Sequence, residues 1–235
     1  MILVEWPRRV AALAQFHVDL LERPELGRDD DHHLRKVLRA QNGEEVVVTD
    51  GRGSWALCQV SEVGLARVSD VGHDPVAPDT TLYLTPLKGE RGEWAVAKAT
   101  EVGVGRIVPL VSARMVVKFK GDAREKTLSR WRRIANEAAA QCRRTYDVVI
   151  GEPVKVADVP SAAAVADLAG SGDWSGVHSV AIGPEGGWTS DEWDEERRRV
   201  ALGPTVLRAE TAAIVAASLM TFSAGGWGFT IESEK

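Results

Sequence analysis

Cysteine is scarce in this sequence, and its two residues lie far apart. Cys58 and Cys142 form no CxxC pair and have no ligand-like spacing to any histidine. This pattern argues against a disulfide framework and against a zinc site. We therefore expect two reduced, structural thiols and no metal in the protein.

Long apolar runs and the common nucleotide-binding motifs are also missing. No stretch approaches the roughly 18 apolar residues that a membrane-spanning helix needs, and the first residues do not resemble a signal peptide. We therefore expect a cytoplasmic protein without a membrane partner. Neither the GxGxxG fingerprint nor a GxxxxGKS or GxxxxGKT phosphate loop occurs, which argues against ordinary Rossmann and P-loop chemistry.

The chain has no excess of positive charge, because its 235 residues include 29 basic and 34 acidic side chains and give a net charge of −5. The basic residues are nevertheless concentrated in one band. From Ser112 to Arg144 the sequence has ten basic residues and only three acidic ones. A solvated helix face is the plain interpretation of such a band, but the concentration of arginine favours a polyanionic partner.

The N-terminal part of the chain predicts a small β-rich domain interrupted by one helix. The helix is expected to start near Asp31 and to carry Arg35 and Arg39 on one face at i,i+4 spacing. A turn signal, Asp50-Gly51-Arg52-Gly53, joins two predicted strands. These strands are Glu45–Thr49 and Trp55–Val63.

The pattern changes after Gly72–Asp79, a stretch with two prolines and no periodicity that we interpret as a linker. Beyond it, short apolar runs alternate with helical segments, as expected of a parallel sheet covered by helices. We therefore predict an α/β fold with two domains, residues 1–73 and residues 80–235. The expected strands are Thr81–Thr85, Arg106–Val111, Val148–Ile150, Ser179–Gly183 and Thr205–Leu207. The expected helices are Glu93–Val102, Glu125–Arg144, Ser190–Ala201 and Thr211–Phe222.

A glycine-rich segment, Ile182-Gly183-Pro184-Glu185-Gly186-Gly187-Trp188, falls where a buried strand ends and a capped helix is predicted. In an open α/β sheet this is the usual place for a ligand, and glycines there let backbone amides approach it closely. A tight turn that needs a positive φ at Gly186 or Gly187 is the structural alternative.

A second segment, Leu202–Ala212, repeats the same strand-to-helix design. Arg208 and Glu210 fall at the predicted carboxyl end of a strand, where functional groups are displayed, and Glu210 begins a helix whose dipole favours a carboxylate. The structural alternative is an ion pair between a helix-start residue, Glu210, and Arg208. We expect Arg208 to lie in a poorly solvated place with Glu210 as its resting partner.

Together with further stretches, these segments resemble the RsmE-like 16S ribosomal RNA uridine-N3 methyltransferases of the SPOUT superfamily. The matching stretches cover most of the chain in family order. They are His32–Leu34 with Val37–Arg39; Asp50–Gly53; Lys88-Gly89 with Trp94 and Lys98–Val104; Pro109-Leu110 with Arg114 and Lys118; Arg130-Trp131 with Ile134-Ala135 and Glu137–Ala139; Gly183–Gly187; and Leu207-Arg208 with Glu210–Ala212.

The resemblance implies a fold, a cofactor and an assembly. It implies a small PUA-like RNA-binding β-barrel domain followed by a SPOUT domain with a C-terminal trefoil knot. It also implies a homodimer, in agreement with a last helix that is apolar nearly all round and must be buried on more than one side. The cofactor would be S-adenosylmethionine, held by Ile182, Gly183, Pro184, Glu185, Gly186, Gly187, Leu202, Gly203, Leu207, Arg208, Thr211 and Ala212.

The RNA partner is expected to contact several basic residues of the band and of the matching stretches. One segment departs from the family pattern, because many members read Glu-Ala-Ala-Glu-Gln-Ser-Gly-Arg where this chain has Glu137–Arg144. Detailed recognition by this segment is therefore an open point. The expected RNA contacts are Arg35, Arg39, Lys88, Arg91, Lys98, Arg114, Lys118, Arg130, Arg132, Arg133 and Arg144.

The reaction implied by the resemblance is methylation of N3 of a specific uridine in 16S ribosomal RNA of the small subunit, at position 1498. Removal of the N3 proton leaves negative charge on the uracil oxygens, which Arg208 would stabilise. A carboxylate or a water molecule would take the proton; the candidate carboxylates are Glu210 and Glu185, and a group of the other subunit stays open as the base. Two alternatives stay open: a SPOUT-type transfer RNA methyltransferase, and a catalytically inactive assembly factor that binds ribosomal RNA.

Overall fold

The computed structural model of the protein describes residues 6–225, which divide into two compact units. The first unit takes in Met1–Val76 and Asn136–Asp147, and the second takes in Ala77–Ala135 and Val148–Lys235. The outer ends of both predicted domains, residues 1–5 and 226–235, lie outside the described residues. The first unit is therefore built from two separate stretches of chain.

The first unit is organised around a five-stranded sheet in the order β1-β2-β3-β4, with β5 paired to β3. The pairing of β1 with β2 is parallel and the other pairings are antiparallel. Both predicted strands are confirmed as β2 and β3, with β3 ending at Ser61. The elements are α1 (Trp6–Ala11), β1 (Gln15–His17), α2 (Arg28–His32), a π-helix (His33–Val37), β2 (Glu45–Thr49), β3 (Ser54–Ser61), β4 (Gly64–Arg67) and β5 (Gly72–His73).

Both faces of this sheet are buried. Val46 and Val48 on β2 pack into one apolar cluster, whereas Val47 between them packs into another with Leu57 and Trp55. Because successive side chains of a strand point to opposite faces, a run of three valines fills both clusters. The run Val46–Val48 is therefore apolar without alternation.

The turn between β2 and β3 explains why the second stretch of chain joins this unit. Gly51 and Gly53 have φ values of +70° and +97°, and a Cβ at either position would overlap with Asp147 or Tyr146. The backbone N–H of Gly53 donates to the carbonyl of Thr145 at 2.9 Å, and the N–H of Asp147 donates to the carbonyl of Gly51 at 2.9 Å. Only glycine fits this close approach.

The predicted helix near Asp31 is present, but the shared face of Arg35 and Arg39 is wrong. The helical segment ends at Val37 in a π-helix, and Arg39 has a φ of +54°, so Arg39 lies beyond the last turn. Arg35 instead donates to Asp31 at 2.8 Å and to the carbonyl of Ser61 at 3.1 Å. The i,i+4 spacing holds only while the chain stays helical.

The second unit contains a parallel sheet of seven strands in the order β12-β10-β11-β6-β7-β8, with β9 paired to β7. All of its pairings are parallel, which confirms the predicted α/β fold. Its elements are β6 (Thr81–Leu84), α3 (Arg91–Glu101), β7 (Arg106–Val111), α4 (Asp122–Gln141, whose last residues belong to the first unit), β8 (Val149–Ile150), β9 (Val154–Lys155), a 3-10 helix (Val156–Asp158), β10 (Ala164–Ser171), β11 (Ser179–Ile182), β12 (Arg199–Val200) and α5 (Ala209–Ser223).

Helix α5 lies in the core of this unit. Ala213, Ala216, Ala217 and Met220 are fully buried, and the helix packs against β6, β11 and α3. Small side chains allow a helix to approach a sheet and a second helix closely, so a sequence that is nearly all alanine and other apolar residues suits this position. The prediction that the domain core buries this helix is confirmed.

Two predicted elements are wrong. Residues 190–198 form turns rather than a helix and lead directly into β12, and residues 205–207 form no strand. Side chains replace helical hydrogen bonds in the first segment. Arg197 donates to the carbonyls of Pro160 and Ala163 at 2.5 and 3.3 Å, and Trp193 is buried against the ring of Trp188.

Candidate functional site

A cavity of about 590 Å³ opens in the second unit where β11 ends and β10 continues beyond it. This is the carboxyl edge of the parallel sheet, where open α/β folds bind ligands. The volume is typical of a pocket for a small molecule. Ten of the residues expected to bind the cofactor line it: Ile182, Gly183, Pro184, Glu185, Gly187, Leu202, Gly203, Leu207, Arg208 and Ala212.

Two expected cofactor residues, Gly186 and Thr211, are not part of the cavity lining. The position of a Cβ on Gly186 would instead be 3.4 Å from the Cβ of Arg114. The carbonyl of Gly186 accepts a hydrogen bond from Nη1 of Arg114 at 3.0 Å. Gly186 therefore faces the segment that follows β7, and the cavity lies on the other side of the loop.

The glycine-rich loop is a tight turn as well as a cavity wall. Gly187 has a φ of +67°, and its N–H donates to the carbonyl of Pro184 at 2.9 Å. A Cβ on Gly183 would be 2.9 Å from the ring of Trp188, whose indole N–H donates to the carbonyl of Ala166 at 3.2 Å. A larger residue at Gly183 would displace this ring from its place in the wall.

One ion pair and one hydrogen bond attach the loop Gly183–Gly187 to neighbouring elements. Glu185 pairs with Arg91 of α3 at 2.9 Å. Arg114, in the segment after β7, donates the hydrogen bond to the carbonyl of Gly186 that is given above. Both arginines were expected to bind RNA, and both have partners within the loop that forms the cavity.

Glu192 forms a further link that the sequence analysis did not identify. One carboxylate oxygen accepts from the N–H of Ala113 at 2.7 Å, and the other accepts from the N–H of Thr189 at 2.7 Å. Burial alone would raise the pKa of this carboxyl group, but the hydrogen bonds from the backbone N–H groups of Thr189 and Ala113 lower it. The spacing of Thr189 and Glu192 matched a capping box, yet here it closes a turn.

The second loop of the cavity carries Arg208, which immediately precedes α5. Arg208 is exposed, and within residues 6–225 no ion pair joins it to Glu210. The expected poorly solvated position and resting pair are therefore wrong for this chain. Glu210 is buried at 8% exposure, does not line the cavity, and its Oε2 has no hydrogen-bond partner within the described part of the chain.

Asp167 of β10 is a cavity residue that sequence reasoning missed. It lines the cavity with Ala166 and Leu168, and its carboxylate pairs with Arg199 of β12. Strand β10 reads Ala-Val-Ala-Asp-Leu-Ala-Gly-Ser, with few β-branched residues and no alternation. The sequence therefore gave little strand signal at this position.

The expected RNA contacts fall into two groups. Several are paired within the protein: Arg35 with Asp31, Arg91 with Glu185, Lys98 with Glu101, Arg130 with Glu93 and Arg132 with Glu152. Arg39, Lys88 and Lys118 are exposed and form no ion pair within residues 6–225, and Arg133 is exposed as well. Of these residues, the exposed and unpaired Arg39, Lys88 and Lys118 are better suited to a nucleic acid.

Arg144 belongs to neither group. It lies in the first unit and donates to the carbonyl of Tyr146 at 2.7 Å, and burial lowers the pKa of its guanidinium. Arg143 beside it donates to the carbonyls of Arg9, Ala12 and Ala140. The segment that departs from the family pattern thus forms contacts within its own unit.

Neither metal ligation nor membrane insertion has support in the described residues. Between residues 6 and 225 no group of three or more His, Cys, Asp or Glu side chains is arranged to hold a metal ion. Over the same residues no helix has the length and apolar character needed to cross a membrane.

Comparison with known protein families gives two matches along the chain. Residues 75–221 match the RNA methyltransferase domain family. Residues 26–71 match the RNA methyltransferase PUA domain family. The two matched regions include most of the strands of the second and first units, respectively.

Individual relatives agree with these matches. The chain is 34% identical to ribosomal RNA small subunit methyltransferase E of Mycobacterium bovis, over 90% of this chain and 92% of the relative. A solved structure from Legionella pneumophila, in complex with the bound cofactor SAM, has a TM-score of 0.77 at 26% identity and covers 89% of this chain and 97% of its own. Ribosomal RNA small subunit methyltransferase E of Neisseria gonorrhoeae, bound to S-adenosylmethionine, has a TM-score of 0.69 at 26% identity, with coverage of 89% and 97%.

Proposed function

Because the chain belongs to the ribosomal RNA small subunit methyltransferase E family, we propose that it methylates N3 of a specific uridine in 16S ribosomal RNA, with S-adenosylmethionine as methyl donor. The observation that carries this proposal is the cavity at the carboxyl edge of β10 and β11. It is formed by the same two loops, Gly183–Gly187 and Leu202–Ala212, that carry the family resemblance. Because its substrate is ribosomal RNA, we also propose that the protein acts in the cytoplasm.

The cavity suits S-adenosylmethionine in its shape and its chemistry. A Cβ on Gly187 or Gly203 would meet nothing within 4 Å, and both residues have positive φ, so the backbone there is open to a ligand. Apolar side chains of Ile182, Leu202 and Leu207 suit an adenine ring, and Asp167 offers a carboxylate to hydroxyl or ammonium groups. When bound, the cofactor supplies an electrophilic methyl group on a sulfonium.

Arg208 is the residue we assign to charge stabilisation. It lines the cavity, is exposed and has no ion pair in the described chain, so its guanidinium is available to the oxygens of a uracil that loses its N3 proton. Donors aimed at developing charge are among the strongest contributions to catalysis. Of the two carboxylates considered as base, Glu185 lines the cavity and Glu210 does not. We therefore assign proton removal to Glu185.

The finer architecture is also a proposal. We propose that the loops around the cavity form a trefoil knot and that the protein is a homodimer. The half-buried Ile214 and Val215 on α5 support the dimer, because an apolar helix face of this kind favours a second covering surface. We propose that the PUA-like first unit binds RNA, with Arg39 among its contacts. We also propose that the roles of the two domains follow the predicted division of the chain at residues 73–80.

The test is mass spectrometry of ribosomal RNA from cells that lack this protein. The proposal expects loss of one methyl group on N3 of a uridine in 16S RNA, and its return when purified protein and S-adenosylmethionine are added to small subunits. Loss of a methyl group from transfer RNA would indicate the transfer RNA enzyme. If no methyl group is lost and calorimetry detects no cofactor binding, the inactive assembly factor is the correct reading.

A further inference from the structure

A second cavity of about 490 Å³ lies in the same unit, above the ends of β6 and β7. Pro86 and Leu87 follow β6, Val116 and Val117 follow β7, and all four line it. Because β6 and β7 are parallel, this cavity opens at the carboxyl edge of the sheet, as the first cavity does.

The lining of the second cavity combines an apolar floor with a cationic rim. Leu87 and Trp131 are buried at 5% and 2% exposure and form the floor together with the half-buried Val117. Lys88 and Lys126 are exposed on the rim, and neither forms an ion pair within residues 6–225. Apolar surface beneath unpaired cations suits a ligand with a flat ring and negative charge.

Arg130 adds a third cation to the rim, and one acid partly balances it. Its Nε lies 2.6 Å from Oε1 of Glu93, which also lines the cavity. The rim therefore carries three cations against one carboxylate. The net positive charge favours an anion such as a phosphate of a nucleic acid backbone.

The two cavities are neighbours along one sheet edge. Strand β11, which ends at the first cavity, pairs directly with β6, which ends at the second. The hydroxyl of Thr85, just after β6, donates to the carbonyl of Ile182 at 3.1 Å. The loop Gly183–Gly187 lies between them and is attached to the side of the second cavity by Arg91 and Arg114.

We propose that the second cavity binds a nucleotide of the RNA substrate, with its base on the apolar floor and its adjacent phosphates on Lys88 and Lys126. This inference rests on the proposed function, because a methyl transferase needs its acceptor beside its donor. Single-stranded RNA is commonly recognised by unstacked bases that enter pockets while cations hold the backbone. The cavity has enough volume for one nucleotide.

The electrostatic part is tested by a matched pair of substitutions on α4. Lys126→Gln removes a rim cation, whereas Arg124→Gln removes a cation that does not line the cavity and lies two residues away, on another face of the helix. Binding of a fluorescent single-stranded RNA that contains uridine is measured on the full chain with S-adenosylhomocysteine present. We expect about a fivefold to tenfold loss of affinity and a salt slope smaller by about 0.7 for Lys126→Gln, and little change for Arg124→Gln.

The steric part is tested at Thr127, which lines the cavity from α4. Thr127→Trp fills the cavity without a change in charge, and Thr127→Val removes the hydroxyl while keeping the volume. Because the hydroxyl donates only to the carbonyl of Ala123 in the same helix, we expect Thr127→Val to bind RNA as the wild type does. Thr127→Trp should lose RNA affinity by about tenfold or more, while calorimetry shows unchanged binding of S-adenosylhomocysteine.

Two results would overturn the assignment of the second cavity: equal RNA affinities for Lys126→Gln and Arg124→Gln, or wild-type affinity for Thr127→Trp. If Thr127→Trp does not fold by circular dichroism, the Lys126 and Arg124 pair decides. These outcomes are separate from the proposed function. A wild-type protein that binds RNA through this cavity but transfers no methyl group would contradict the function alone, and normal methyl transfer by Thr127→Trp would contradict the cavity alone.

Discussion

Arg9, Arg35 and Arg143 of the first unit bind partners within that unit, whereas several cations around the cavities of the second unit are exposed to solvent. In the first unit Arg9 is 1% exposed and forms a bidentate salt bridge with Asp74. Its Nη1 donates to Oδ1 at 2.7 Å and its Nη2 donates to Oδ2 at 3.0 Å. In the second unit Arg208, Lys88 and Lys126 are exposed, and no ion pair within residues 6–225 holds them. The difference separates cations that stabilise the fold from cations that are available to bind a ligand.

The network around Arg9 shows how a buried structural cation is held in place. Its guanidinium lies over the rings of Trp6 and Trp55, at 5.1 and 4.4 Å from their centroids. Asp74 also accepts from the indole of Trp55 at 3.1 Å and from the hydroxyl of Thr145 at 2.7 Å. A buried charge needs such partners, because an uncompensated one is costly.

The largest expected effect is the loss of stability on Arg9→Leu. Removal of one partner from a buried pair typically costs about 3–5 kcal/mol, so the free energy of unfolding in urea should fall by about that much. Arg8→Leu is the matched control, since Arg8 pairs with Glu45 at 2.5 Å on the exposed surface and such pairs contribute about 0–1 kcal/mol. Equal losses for the two variants would show that burial does not separate the two arginines.

The next effect concerns the cavity wall rather than a charge. Gly183→Ala places a methyl group 2.9 Å from the ring of Trp188, and displacement of a packed ring costs about 1–3 kcal/mol. We expect affinity for S-adenosylmethionine to fall by roughly tenfold in calorimetry. Gly172→Ala has open space around its Cβ and should bind as the wild type does. Undiminished binding by Gly183→Ala would remove this loop from the cofactor site.

A smaller effect is expected for Glu192→Gln. The amide keeps one acceptor oxygen, but its NH2 group faces an N–H that formerly donated to the carboxylate, either at Ala113 or at Thr189. An unsatisfied polar contact of this kind costs about 1–3 kcal/mol, which we expect in unfolding free energy. The exposed Glu195→Gln serves as the control. If both substitutions have the same small effect on stability, Glu192 does not hold the backbone at Ala113 and Thr189 together.

The smallest expected effect is the pH dependence of the contribution that Glu192 makes to stability. Hydrogen bonds hold the pKa of Glu192 below its ordinary value in the folded protein. Its contribution to stability is therefore fully present above the unfolded pKa of about 4.3 and is lost as the pH falls through the folded pKa. The stability difference between wild type and Glu192→Gln should shrink in urea unfolding as the pH is lowered from about 6 to about 3. A difference that grows over this range would mean that the sign of the pKa shift is wrong.

Regular elements with strong patterns could be predicted from the sequence. Strand β7 and helices α3 and α5 lie close to their predicted positions because each has an apolar run or period long enough to identify it. The same alternation of strands and helices indicated a parallel sheet. Periodicity reports burial, so it works where burial decides the conformation.

Segments fixed by side chain to backbone contacts could not be predicted in this way. Residues 190–198 have a helical composition, but Glu192 and Arg197 bind groups distant in sequence, and Trp193 is buried in an apolar cluster. These contacts hold the chain in turns. Strand β10 was missed because its weak β composition is compensated by pairing with β11 and β12. Tertiary contacts outweigh local propensity in both cases.

The lining of the cavity could be predicted from the sequence better than the contacts within it. The glycine pattern and the family resemblance identified the loops Gly183–Gly187 and Leu202–Ala212. Most of the residues named in them line one cavity. The sequence could not show that Gly186 faces Arg114, or that Arg91 and Arg114 bind the loop rather than solvent. Such pairings depend on how β7 and β11 are arranged in the sheet, which spacing along the chain does not encode.

The most direct test of the comparison between structural and available cations is single-turnover methylation of small ribosomal subunits by Arg208→Ala at saturating S-adenosylmethionine, with its unfolding free energy measured in parallel. Removal of a donor aimed at developing charge typically costs on the order of a hundredfold to a thousandfold in rate. We predict a loss of that size with stability unchanged, and only partial recovery in Arg208→Lys, because an ammonium cannot reproduce the planar guanidinium. A wild-type rate for Arg208→Ala, or a defect fully explained by unfolding, would contradict the account.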